Sequence, residues 1–140
     1  MELYNAIADS AVSHLQAVEE RKARWVIQNE WLQAFCQGVK SVKGVWVFNG
    51  YKWHAFSFNL SKSLEGEPAV QAYKASEPAG AFAFDEDLEE MYSLEPHDQY
   101  PDLSALANDV YICDHAMTWT MAFTHEQPSI GPFYARRDWQ

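Results

Sequence analysis

Between Met117 and Glu126 the sequence alternates with a period of two. Trp119, Met121, Phe123 and His125 fall on one side of an extended strand, and Thr118, Thr120, Ala122, Thr124 and Glu126 on the other. No helix places those bulky side chains together, so this stretch commits the chain to a sheet with a thick apolar cover on one face. Asp109-Val110-Tyr111-Ile112-Cys113 reads as the preceding strand, turned into this one by Asp114-His115-Ala116. Gly131 to Ala135 reads as a last strand at the sheet edge, because Pro132 cannot donate to a ladder.

Upstream, Val45-Trp46-Val47-Phe48 and Tyr51 to Phe58 flank Asn49-Gly50, the dipeptide that best tolerates a tight hairpin turn, and predict a central hairpin. Leu64-Glu65-Gly66 turns the chain, and Pro68 opens a short helix through Tyr73. Pro78-Ala79-Gly80 ends that helix, and Ala81 to Phe84 reads as a strand. Asp85 to Asp109 reads as loop with a helical turn near Leu103 to Ala107. The N-terminus reads as helix: Leu3, Ile7, Ala11, Leu15 and Val18 recur at spacings of three and four, and Trp25, Leu32 and Cys36 resume the stripe before a stop at Gly38. One straight helix of that length would measure about 54 Å, so a break or bend is expected near residues 19–24, or an arm that packs on another subunit.

The predicted fold is α+β: a long or bent N-terminal helix over residues 1–38, then a mainly antiparallel sheet with one or two short helices over residues 39–140, in one compact domain. The apolar stripe around Trp25 and Ile27 exceeds what one sheet face covers and predicts a homodimer. Trp46, Phe48, Trp53, Phe56, Trp119, Met121 and Phe123 are expected to share one core.

Charge narrows the function. Residues 1–74 hold eight Lys/Arg and seven Asp/Glu, and residues 75–140 hold two and thirteen, so the net −10 lies wholly in the second half. No Lys or Arg occurs between Lys74 and Arg136. Such a chain is unsuited to a phosphate backbone, so no nucleic-acid partner is expected, and no apolar run reaches membrane-spanning length. Cys36 and Cys113 stand far apart and read as small core hydrophobes in a reduced, cytoplasmic protein.

Three stretches together resemble a known family: Trp31 to Phe35; Trp53-His54-Ala55-Phe56-Ser57 with Leu64-Glu65-Gly66-Glu67; and Trp119-Thr120 with Thr124-His125-Glu126 and Gly131 to Tyr134. Their order is similar to that in small, mostly bacterial proteins grouped as a domain of unknown function. The resemblance covers residues 31–135 and implies no activity.

The chain carries no G-x-S-x-G elbow, Walker loop or dinucleotide fingerprint, so no catalytic residue and no cofactor is assigned. Its Cys and His spacings fail the zinc rules, so no metal is expected. As neighbours on a strand, His125 and Glu126 would face opposite ways and could not chelate one ion. His54 and Ser57 would likewise diverge. Two function classes remain. In the first, a non-enzymatic module engages a basic protein partner, as an immunity protein covers a basic active site. Asp85, Glu86, Asp87, Glu89, Glu90 and Tyr92 are its expected contacts, within a segment from Asp85 to Asp114 that holds ten carboxylates and no Lys or Arg. In the second, a small enzyme or ligand-binding protein uses a pocket of His54, Trp119, His125 and Glu126.

Overall fold

The computed structural model describes residues 2–36, 41–42, 45–46 and 51–140, with backbone alone described for residues 41–42 and 45–46. The elements run α1 (Glu2–Ala8), β1 (Val12–Ala17), α2 (Arg21–Phe35), β2 (Ser41–Val42), β3 (Val45–Trp46), α3 (His54–Ser57), β4 (Leu64–Glu65), α4 (Glu67–Ala75), β5 (Ala81–Asp85), β6 (Met91–Pro96), β7 (Val110–Asp114), β8 (Trp119–Phe123) and β9 (Phe133–Arg136). Seven strands form one sheet in the order β1-β6-β5-β7-β8-β9-β4, and every pairing is antiparallel. The short β2 and β3 pair separately.

The alternation expected of β8 is the organising fact of the sheet. Trp119, Met121 and Phe123 face a layer made by α1 and α4, with Ile112 and Val110 of β7 and Tyr134 of β9 beside them. Ala122, Tyr111, Cys113, Phe84 and Phe133 face the opposite layer, where α2 and α3 bring Trp31, Phe35 and Phe56. Each central strand is therefore buried on both sides, and β7 and β8 are buried at every residue.

Several expectations need correction. The N-terminal region is not one long or bent helix: a new helix does begin within residues 19–24, at Arg21, but what precedes it is mostly not helical. α1 stops at Ala8, and Val12–Ala17 is an edge strand on β6, so the segment before residue 38 also builds the sheet. Pairing with β6 outweighs a helical spacing that five small or aliphatic residues also satisfied. Since α1 and α2 form no continuous stripe, the ground for a homodimer shrinks to Trp25 and Val26, each 50% exposed on α2.

Tyr51 to Phe58 is not a strand either. It makes a helical turn, with the backbone of Phe56 and Ser57 donating to Trp53, and that of His54 to Tyr51. The Asn49-Gly50 turn, Trp46 and Phe48 as side chains, and the Gly38 stop lie outside the described residues. The supposed single core is two: the sheet separates Trp53 and Phe56 from Trp119, Met121 and Phe123. The edge beyond β9 is taken by β4, so β9 is an inner strand, and Pro132 offers its carbonyl to the Gly66 N–H at 2.9 Å. Gly66 adopts φ +72 between β4 and α4, a conformation that favours glycine. The segment read as loop also contains β6, whose Tyr92 and Leu94 pack under α1.

Candidate functional site

β5 and β6 are joined by the acid-rich turn Asp85 to Glu90, which is held on several sides. The Asp85 carboxylate accepts the Glu90 N–H at 2.8 Å, and the Glu86 N–H donates to the Asp109 carbonyl at 3.1 Å. Leu88 adopts φ +57, unusual for a branched side chain, and its burial in the α2 layer holds it there. From α2, Arg24 donates to the carbonyls of Leu88 and Glu89 at 3.1 and 3.0 Å. The turn is thus built into the fold.

Beside it runs a chain of polar contacts through the α3 layer. The Lys52 ammonium bonds the Glu86 carboxylate and carbonyl, each at 2.6 Å. The Tyr111 hydroxyl donates to Glu86 at 2.5 Å and accepts the Trp53 N–H at 3.0 Å. Burial, followed by the Glu86 charge, pushes the Tyr111 phenol well above its ordinary value, so it stays a neutral donor. The Trp53 indole donates to Asp109 at 3.0 Å. Asp109, itself buried, also receives the His125 N–H at 2.8 Å and His125 Nδ1 at 2.9 Å. The imidazole is 34% exposed, and with Nδ1 bonded to Asp109 its Nε2 is left, among the described residues, for solvent or a ligand.

These groups enclose a cleft of about 330 Å³ lined by Tyr51, Asp85, Glu86, Asp87, Glu89, Ala107, Asn108, Asp109 and His125. Five carboxylates border it, and no Lys or Arg occurs among its described lining residues. Lys52 lies nearby and is committed to Glu86. Asp87 and Glu89 are exposed. No group of three or more His, Cys, Asp or Glu among the described residues is placed to hold a metal ion.

The structure therefore brings together Asp85, Glu86, Asp87 and Glu89 of the expected partner surface, and adds Tyr51, Asp109 and His125. Glu90 is half-buried and receives the Tyr92 hydroxyl at 2.7 Å. Tyr92 is not an exposed contact. It lies in the α1 layer with its ring 5.6 Å from Tyr4, and burial raises its phenol.

The expected pocket of His54, Trp119, His125 and Glu126 is split. His54 and His125 both pack on Tyr51 and Trp53, whereas Trp119 lies across the sheet against Tyr73, Tyr100 and Tyr134. β8 ends at Phe123, so His125 and the exposed Glu126 sit in a turn and the strand rule for their directions does not govern them. His54 and Ser57 do meet, Nδ1 to Oγ at 3.1 Å, because a helical turn brings residues three apart onto one face. Cys36 and Cys113 are buried, and burial pushes the Cys36 thiol up to about 12, against a smaller pull from Lys52.

In the sequence Asp109 stands out only as a strand start and as one of ten carboxylates, although the hairpin contained the signal for its place in the site. Val110 pairs with Phe123, and the same register carried one step outward sets Asp109 beside Thr124 and His125.

A family model described as a domain of unknown function (DUF4275) matches residues 6–134. The chain belongs to that family. The DUF4275 match begins well before Trp31, so it takes in α1's second half and β1, which the resemblance over residues 31–135 left out. It attaches no activity to the cleft. No curated protein and no solved structure matches the chain.

Proposed function

We propose that this DUF4275 chain is a non-enzymatic binding module whose acidic cleft receives a basic side chain of a protein partner. The observation that carries the reading is the fixed turn that sets Asp85, Glu86, Asp87 and Glu89 around one concavity with Asp109. A pre-formed array of like charges favours a cation that enters it and steers that cation from a distance. A turn kept only for solubility gains nothing from being clamped by Arg24 and Leu88. An enzyme with a basic active site, covered as an immunity protein covers its target, is one partner class of this chemistry.

Titrating the protein with an arginine-rich peptide tests the reading. Binding should weaken steeply as salt rises and disappear in an Asp87→Asn, Glu89→Gln variant. Absence of binding at low salt would end it.

A second reading rests on one contact. His125, oriented by the buried Asp109, has the geometry of a general base, which would suit a small enzyme acting on a cationic substrate. His125→Gln separates the two: the module keeps its peptide affinity, whereas an enzyme loses turnover and keeps substrate binding.

A further inference from the structure

The acidic cleft does not end at Tyr51. Tyr51 is 39% exposed, and its ring centroid lies 5.8 Å from that of His54. His54 in turn stacks on Phe58, with centroids 4.7 Å apart and planes 3° from parallel. Phe58 is 57% exposed and Leu60, two residues on, 39%. A strip of rings therefore leads out of the cleft along the outside of α3 and finishes in two uncovered apolar side chains. Beneath it, Trp53 is fully buried and stacks on Tyr51 at 5.6 Å, so the strip has a packed floor. Exposed aromatic surface of this kind marks an interaction site more often than it occurs by chance.

We propose that cleft and strip form one docking surface, occupied by a segment of a partner protein that carries an arginine followed a few residues later by apolar side chains. This rests on the reading of the cleft as a site for a basic side chain. Charge decides against a second copy of the chain, since the net −10 would oppose seating one acidic protein on another. Arginine fits better than lysine: a planar guanidinium can pair with carboxylates such as Asp87 and Glu89 while lying against the Tyr51 ring. An extended segment advances about 3.3 Å per residue, so an apolar residue two to four positions after the arginine reaches Phe58 and Leu60.

Two synthetic peptides test this by fluorescence anisotropy. One carries an arginine among glycine and serine; the other adds a leucine-tryptophan pair shortly after the arginine. The second should bind the native protein about tenfold more tightly, a gain of about 1.4 kcal/mol. Phe58→Ser with Leu60→Ser should bring it back to the affinity of the first and leave the first unchanged. Equal affinity of the two peptides for the native protein would overturn the docking strip while leaving the cleft reading intact. Failure of both peptides to bind would overturn the two together.

Discussion

The two faces of the sheet are covered by similar means and held in different ways. Under α1 and α4, rings meet rings: Trp119 packs against Tyr73, Tyr100 and Tyr134. Of the polar tips there, Tyr73 donates to the Pro101 carbonyl and Tyr100 to that of Glu77, while at the part-buried margin Tyr92 reaches the Glu90 carboxylate and Tyr134 meets the Ser76 hydroxyl. Under α2 and α3 the rings are as dense, with Trp31 against Phe35, Phe56, Phe84 and Tyr111. Here, however, side chains bond to side chains: Trp31 to Thr120, Trp53 to Asp109, and Tyr111 to Glu86. Burial stabilises both faces, whereas on the second the links Trp31 to Thr120 and Trp53 to Asp109 run through the buried interior and tie the helical layer to the strands. The cleft opens where those links reach the surface.

The heaviest way to break this comparison is to truncate one tryptophan on each face. Trp31→Ala and Trp119→Ala should each cost about 3–5 kcal/mol in denaturant unfolding. Phenylalanine at the same positions sharpens the contrast. Trp31→Phe also loses the 2.8 Å bond to Thr120, worth about 0.5–1.5 kcal/mol, and Trp119 has no such bond to lose among the described residues. Equal costs for the two phenylalanine variants would erase the distinction drawn between the faces.

Next in size is Asp109→Ala, which leaves the Trp53 indole and the His125 N–H without their acceptor, at about 1–3 kcal/mol for each donor that stays buried. Its melting temperature should fall well below that of His125→Ala, which removes only the exposed partner.

Alkaline titration probes both faces at once. Tyr73 and Tyr111 have phenols raised well above the ordinary value of 10.0, in each case first by burial. A raised folded value means that the unfolded chain gives up its proton first. Their contribution to stability is therefore complete below about pH 10 and is lost as pH climbs further. Phenolate absorbance from these two rings should appear only together with unfolding; a gradual rise in the folded protein would contradict it. The smallest effect is expected of Asp87→Asn with Glu89→Gln. Exposed charges of this kind should leave stability within about 0.5 kcal/mol, so a loss of peptide binding there reports the site and not the fold.

What could be read in the sequence follows the same division. β5, β7, β8 and α4 were legible because alternation or Pro and Gly punctuation acted within a few residues of each. β1 was not, since Ala11, Leu15 and Val18 recur at a helical spacing, and only the irregular pairing with β6, some eighty residues on, overrides it. The run from Tyr51 to Phe58 carries bulky apolar groups on both faces of an extended reading, and its alternation over Tyr51 to Ala55 imitates a strand, so period misled. Tyr111 and Asp109, both distant in sequence, bond the Trp53 backbone and indole where the chain turns. The acidic turn was legible by composition as a candidate surface. That it encloses a cleft with Asp109 and His125 depended on contacts between strand ends that no local pattern records.

The strand order also bears on how the chain emerges from the ribosome. β1 waits for β6, and β4 waits for β9, whose Tyr134 and Phe133 are its partners. At roughly 5–20 residues per second, β1 would spend several seconds without its neighbour. During that interval α2 presents Trp31 and Phe35 before the β7 and β8 residues that cover them exist. The N-terminal quarter thus leaves apolar surface uncovered during synthesis, and a translational pause placed before β7 should lower soluble yield more than one placed after β9.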